Sequence, residues 1–210
     1  MLERLDGVLD ALRRRRSVRR FAPRAVDAAD LDRILEAVRW APSAGNRQAY
    51  RFIVVTSAEM IRTMGAAVDR ETARRSDLLR DDLAGEIIAY MDNFTHFRSA
   101  PVVVVPIYRP GLDLLNAAAD DAPCPAQSSA GNDALSSVCA AITYLLVAAQ
   151  AEGLGACWMT GPLVAKDALR AALDVPAGWE IAAVVPIGYP AEIPEAPPRR
   201  SLGQLVRRIT

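Results

Sequence analysis

"RRRRSVRRFAP", Arg13 to Pro23, gathers six arginines around one serine in a 210-residue chain whose 25 basic and 25 acidic side chains cancel. Upstream, "MLERLDGVLDAL" has the spacing of an amphipathic helix, so the arginines close a helix and lead into an extended segment. Hydroxyl and guanidinium groups at such a junction suit a phosphate monoester: arginine supplies bidentate charge-assisted bonds and serine a short donor. A solvated basic helix end, favoured by the helix dipole, leaves the same stretch. A nucleic-acid strand is the third possible occupant. Zero net charge and a pI near 6.6 give none of the broad basic face that such a partner requires.

Downstream, "VDAADLDRILEAVRWAPS" reads as a second helix. Asp27 is a good N-cap, Asp30 suits the first turn, and Leu31, Ile34, Leu35 and Val38 share one face. Pro42 stops the helix, "SAGNRQ" is a loop by composition, and "YRFIVVTS" reads as a short buried strand. Residues 58–98 read as charged helix covering surface, and "APVVVVPIY", Ala100 to Tyr108, as a second buried strand. Residues 109–131, rich in Pro, Ala, Ser and Asp, read as an irregular loop or lid within one domain spanning 1–210. Asn132 or Asp133 is expected to cap a helix from Ala134 to Ala151. That helix is apolar nearly all round, so both faces should be buried, against the core and a second subunit. Gly153 and Gly155 end it. "ACWMTGP" reads as a short strand or loop, "VAKDALRAALDV" as a helix and "WEIAAVVPIGYP" as a third strand. The Pro-rich tail, about 190–210, is expected to drape over a surface. The alternation predicts an α+β or three-layer α/β/α fold.

Scarcity excludes much. His96 is the sole histidine and Lys166 the sole lysine, so no multi-histidine metal site can be built and a Ser-His-Asp triad would have to use His96. Enzymatic chemistry here points to a bound cofactor. Cys124, Cys139 and Cys157 are odd in number and follow no metal spacing, which predicts a reduced, cytoplasmic setting. The amino-terminal stretch lacks the charged-then-apolar pattern of a signal segment. The uncharged run before Glu152 carries Ser136, Ser137, Thr143 and Gln150, as a core helix does, so no membrane partner is expected.

Three further stretches offer binding chemistry, each beside a plainer reading. In "APSAGNRQAY", Ala41 to Tyr50, Ser43, Asn46 and Gln48 offer polar groups and Gly45 close approach, as a flat heteroaromatic ring with carbonyl and N–H edges needs. The same residues make an ordinary helix-to-strand turn. In "GLGACWMTGP", Gly153 to Pro162, the glycines follow a helix and lead into extended chain, the reverse of a dinucleotide fingerprint, so a Rossmann site is rejected. Trp158 and Met159 there serve a core as readily as a cofactor. In "PPRRSLGQLV", Arg199 and Arg200 either join the first arginine cluster or stand exposed.

Taken in order, "RRSVRRF", "APSAGNRQAYRFIVV", "GLGACWMTGP", "IGYP" and "RRSLGQLV" resemble the FMN-dependent nitroreductase family over essentially the whole chain. The resemblance implies a three-layer α/β/α fold with a central, mostly antiparallel sheet and FMN at the interface of a homodimer. It implies that Arg15 and Ser17 hold the flavin phosphate, with Arg16 on the phosphate or ribityl chain and Arg19 at the pyrimidine edge. Pro42, Ser43, Asn46 and Gln48 would reach the flavin of the other subunit. Thr160 and Gly161 would lie near N5, and Arg200 would return to the phosphate. It leaves the mid-chain polar group at the flavin O2/N3 edge unassigned. Ala49–Tyr50 stands where the family often has Pro-Trp. The implied activity is reduction of a nitroaromatic, quinone or similar electrophile by NADH or NADPH, in a ping-pong cycle without a catalytic side chain. Another flavin reaction (dehydrogenation, dehalogenation, flavin destruction) or a non-catalytic flavin-binding module are the alternatives.

Overall fold

The computed structural model describes residues 2–78, 84–111 and 130–209. Its central strand is "VVVVPIY", Val102–Tyr108. Successive side chains of a strand leave opposite faces. Val102 and Val104 enter one core cluster, while Val103, Val105 and Ile107 enter the other. With helices on both faces the strand has no wet side, and its sequence accordingly shows no polar alternation.

In chain order the strands are β1 (Tyr50–Val55), β2 (Val102–Tyr108), β3 (Gly155–Ala156), β4 (Glu180–Ile181) and β5 (Val185–Gly188). The sheet runs β1-β2-β5-β3, with β4 also on β2, and each of these pairings is antiparallel. The expected third strand is therefore two. Between them Ala182 N–H donates to Pro106 O at 2.9 Å, but Pro106 has no N–H to return the bond. Val184 turns instead to Met159, with which it exchanges both backbone bonds. β1 also departs from expectation. It lies at the sheet edge with mixed burial, and Val54 is exposed.

One face of the sheet is covered by α2 (Ala28–Val38) and a long helix that follows the undescribed segment, while α1 (Leu2–Arg14) packs on that long helix. Asp27 caps α2 by accepting from Ala29 N–H, and Leu31, Ile34 and Val38 are buried, as the pattern predicts. The other face carries α3 (Ala58–Ser76), α4 (Ala84–Met91) and a 3-10 segment, Asp92–Ser99. This region does more than cover surface. Ile61, Met64, Val68, Phe94 and Phe97 form a second core with the lower face of β2.

The long helix is α5 (Ala130–Ala151). It starts earlier than expected, so Asn132 and Asp133 lie inside its first turn instead of capping it. Its end is a Schellman turn: Gly153, at φ +74, donates to Gln150 O and Leu154 N–H to Ala149 O. Val138, Ala141, Ile142, Leu145 and Ala149 are fully buried, and truncating one such large side chain costs about 2–5 kcal/mol. By length and composition α5 could cross a membrane, yet this face is seated in the core. Its opposite face leaves Leu135 and Tyr144 exposed in the single chain. The chain then continues through α6 (Lys166–Ala172) and ends in an exposed tail with a short helix, α7 (Leu202–Leu205). Most of the expected loop or lid, with Cys124, lies outside the described residues.

Candidate functional site

The arginine-rich segment is laid along the sheet edge. Val18 N–H donates to Ala156 O at 3.0 Å, and Ser17 forms a parallel bridge with the same residue. The approach demands glycine at 155, because a Cβ there would lie 2.7 Å from Val18 Cβ. Held this way, Arg15, Arg16, Ser17 and Arg19 line a cavity of about 490 Å³ together with Glu195 and Arg199 of the tail. Four arginines and one glutamate are among its lining residues, an excess of positive charge suited to a phosphate dianion. Arg16 also folds back on the end of α1, donating to the carbonyls of Arg13 and Arg15. Arg199 lines this cavity; its neighbour Arg200, the residue expected there, does not.

Arg19 also lines a second cavity, of about 350 Å³, with Cys157, Thr160, Gly161, Asn93 and Phe94. The Phe94 ring lies directly on Gly161, where any Cβ would overlap it. Asn93 is anchored from three sides. Its Nδ2 donates to Ala89 O and Tyr90 O, which turns Oδ1 toward His96 Nε2 at 2.9 Å. With Oδ1 as acceptor, Nε2 of His96 must carry the proton. The Cys157 thiol is buried, and burial pushes its pKa up; Arg19, a hydrogen bond with Ser17, and Arg15 pull the other way. Arg19 is thus common to the arginine-lined cavity and this partly apolar one.

The loop after α2 stands apart. Gly45, Asn46 and Gln48 all have positive φ, at +56, +51 and +47, a region that non-glycine residues avoid unless surrounding structure imposes it. Gln48 N–H donates to Ser43 Oγ and the Gln48 side chain to Asn46 Oδ1. Ser43 and Gln48 line a third cavity, of about 380 Å³, with Arg47, Arg109, Asp133 and Ser137. None of Arg15, Arg16, Ser17, Arg19, Thr160 or Gly161 lines it, and Pro42, Asn46 and Arg200 line none of the three. The single chain therefore gathers Arg15, Arg16, Ser17, Arg19, Thr160 and Gly161 around the two cavities that share Arg19 and sets Ser43 and Gln48 on another.

Sequence reasoning missed Asn93, Arg199 and Ser137. Asn93 is the mid-chain amide on the second cavity, and its signal is faint, a single Asn in a helical stretch. Arg199 adjoins Arg200, and nothing in the two adjacent arginines says which of them turns inward. Ser137 sits in an apolar helix beside Ser136, and nothing in the two adjacent serines says which is buried.

A cavity lined by four arginines and a partly apolar one, with Arg19 common to both, offer groups that an anion carrying a ring could use. The nitroreductase family model matches residues 12–189, and the chain belongs to that family. A Rhodospirillum rubrum protein named 5,6-dimethylbenzimidazole synthase is 32% identical over 97% of this chain and 91% of its own length. Among solved structures, a BluB-like flavoprotein from Clostridium difficile superposes with a TM-score of 0.85 at 22% identity, covering 97% of this chain and 99% of that one. Iodotyrosine deiodinase bound to FMN and 3-iodo-L-tyrosine does so at 0.73 and 24%, with the same coverage. These likenesses establish the nitroreductase-like fold, with helices on both faces of an antiparallel sheet.

Proposed function

We propose that the chain is an FMN-dependent NAD(P)H oxidoreductase that reduces nitroaromatic, quinone or similar electrophilic acceptors. The observation that carries this reading is Arg19, shared by the phosphate-type cavity and the ring-type cavity. The residues present fit FMN: Arg15, Arg16, Ser17 and Arg199 supply charge and donors for a phosphate, with Arg200 a step away in the same tail. Thr160, Gly161 and Asn93 supply a narrow polar wall for a ring. Pro42, Ser43, Asn46 and Gln48, which line neither of the two cavities that share Arg19, serve a second copy in a homodimer. The domain spans 1–210, its exposed tail lying over that partner.

Bound FMN supplies reversible two-electron chemistry. The side chains of this protein would bind and tune it: the arginines and Ser17 would hold its phosphate, and the cation of Arg19 would favour negative charge on the ring beside it. Gly161, pressed against Phe94, would keep one wall close and free of side chain, and donor and acceptor would take turns at one stacking position there. The purified protein should show flavin absorption bands and oxidise NADH or NADPH with quinone or nitroarene acceptors. Double-reciprocal plots should be parallel, since the two substrates alternate in one place. A colourless protein that ignores added FMN sinks the reading.

A second reading is favoured by the 32% identical relative: the same scaffold carrying out flavin destruction, with formation of 5,6-dimethylbenzimidazole. Chromatography of the reaction products for that compound separates the two.

A further inference from the structure

We infer that Ser137, assisted by Asp133, is a positioning residue that holds the loop 43–48 in its binding conformation; the inference rests on the flavin reading above. Ser137 is the buried polar side chain of the described core, 7% exposed. Its hydroxyl donates to Asp133 O at 2.6 Å and accepts from Ala44 N–H at 3.1 Å. A serine has one proton to donate. Because that proton is spent on the helix carbonyl, the remaining lone pairs have a set direction, and Ala44 N–H is docked along it. One turn earlier on α5, the Asp133 carboxylate pairs with Arg47 at 3.3 Å. Positions 133 and 137 of the helix therefore grip positions 47 and 44 of the loop.

The loop needs such a grip. Asn46 and Gln48, both left-handed, flank Arg47, and left-handed backbone in non-glycine residues persists only where neighbouring structure imposes it. Internal bonds of the loop, from Gln48 to Ser43 and to Asn46, shape it without attaching it to the body. Ser137 and Asp133 make that attachment. Both ends of the Arg47–Asp133 pair are about half exposed, so it contributes little; Ser137 is the main hold. Its effect on ligand affinity passes through Asn46 and Gln48, which are exposed and available to a ligand of a second subunit.

The test is an FMN titration of the full-length protein, arranged as double-mutant cycles. Ser137→Ala should weaken FMN binding roughly five- to twentyfold, the range for removal of one buried hydrogen bond. Its Tm should stay close to wild type, because alanine is the better helix former. In an Asn46→Ala/Gln48→Ala background the same substitution should add little, whereas with Ser17→Ala its factor should multiply in full. Asp133→Asn runs the same cycles through the weaker contact and serves if Ser137→Ala does not fold. Unchanged affinity in both variants, or equal multiplication in both backgrounds, overturns the positioning role. Wild-type protein that takes up no FMN overturns the flavin reading, and this inference with it.

Discussion

Gly155 lies so close under Val18 that a Cβ on the glycine would come within 2.7 Å of Cβ and Cγ2 of the valine. The overlap falls on a β-branched side chain near its backbone, which cannot swing aside. Gly155→Ala must push the arginine segment off the sheet edge, where Val18 N–H meets Ala156 O. Overpacking of this kind costs about 1–3 kcal/mol. Tm and FMN affinity should fall together; a variant with wild-type values for both would mean that the edge of the sheet gives way freely.

Replacing Arg15 or Ser17 by Ala should weaken FMN binding by about one to two decades each, because a hydrogen bond to a charged phosphate contributes about 1–3 kcal/mol. Both residues sit beyond the end of α1, so Tm should hold. Riboflavin, which lacks the phosphate, should bind wild type and variants alike. If FMN affinity is unchanged in both variants, the cluster serves solvent.

Sharing of the site between subunits is open to complementation. One subunit carries Arg15→Ala and Ser17→Ala, the other Asn46→Ala and Gln48→Ala. In their heterodimer one site collects both lesions and the other none, so roughly half the wild-type FMN stoichiometry should return. Heterodimers that form, as native mass spectrometry would show, yet bind no more FMN than either parent argue for sites within single chains.

On the surface of α3, hydrogen bonds from Arg74 and then Arg75 hold the Glu71 carboxyl at about 2, against the usual 4.5. The folded value lies below the unfolded one, so the pairing stabilises the protein above about 4.5 and is lost as pH falls from there through about 2. Glu71→Gln should therefore lower Tm at neutral pH, with the gap to wild type closing over that acid range. Because the arginines are largely exposed, about 1 M salt should also narrow it. A gap that ignores pH would show that the carboxylate is not what matters.

Much of the fold is legible in sequence because it is local. Asp27, the period of Leu31, Ile34 and Val38, and the stop at Pro42 define α2 within a dozen residues, and the structure follows them. "VVVVPIY" specifies a strand covered on both faces. The order of "RRSVR", "SAGNRQ" and "MTGP" points to the family. Less legible is the split of the expected third strand into β4 and β5, since Pro106 of β2 interrupts the ladder between them, an event that residues 180–188 do not announce.

By itself, then, the sequence determined most of the elements, the cap of α2 and the chemical character of each candidate patch, because these depend on interactions a few residues long. Only the tertiary structure decided which patches meet. Ser17 reaches Ala156, Phe94 settles on Gly161, Ala44 docks on Ser137 and Arg199 turns toward Arg15's cavity. The same fold keeps Ser43 and Gln48 out of the cavities that hold Arg19. These pairings join residues far apart in the chain, and their geometry follows from the path of the backbone around the two cores. No window of sequence contains that path.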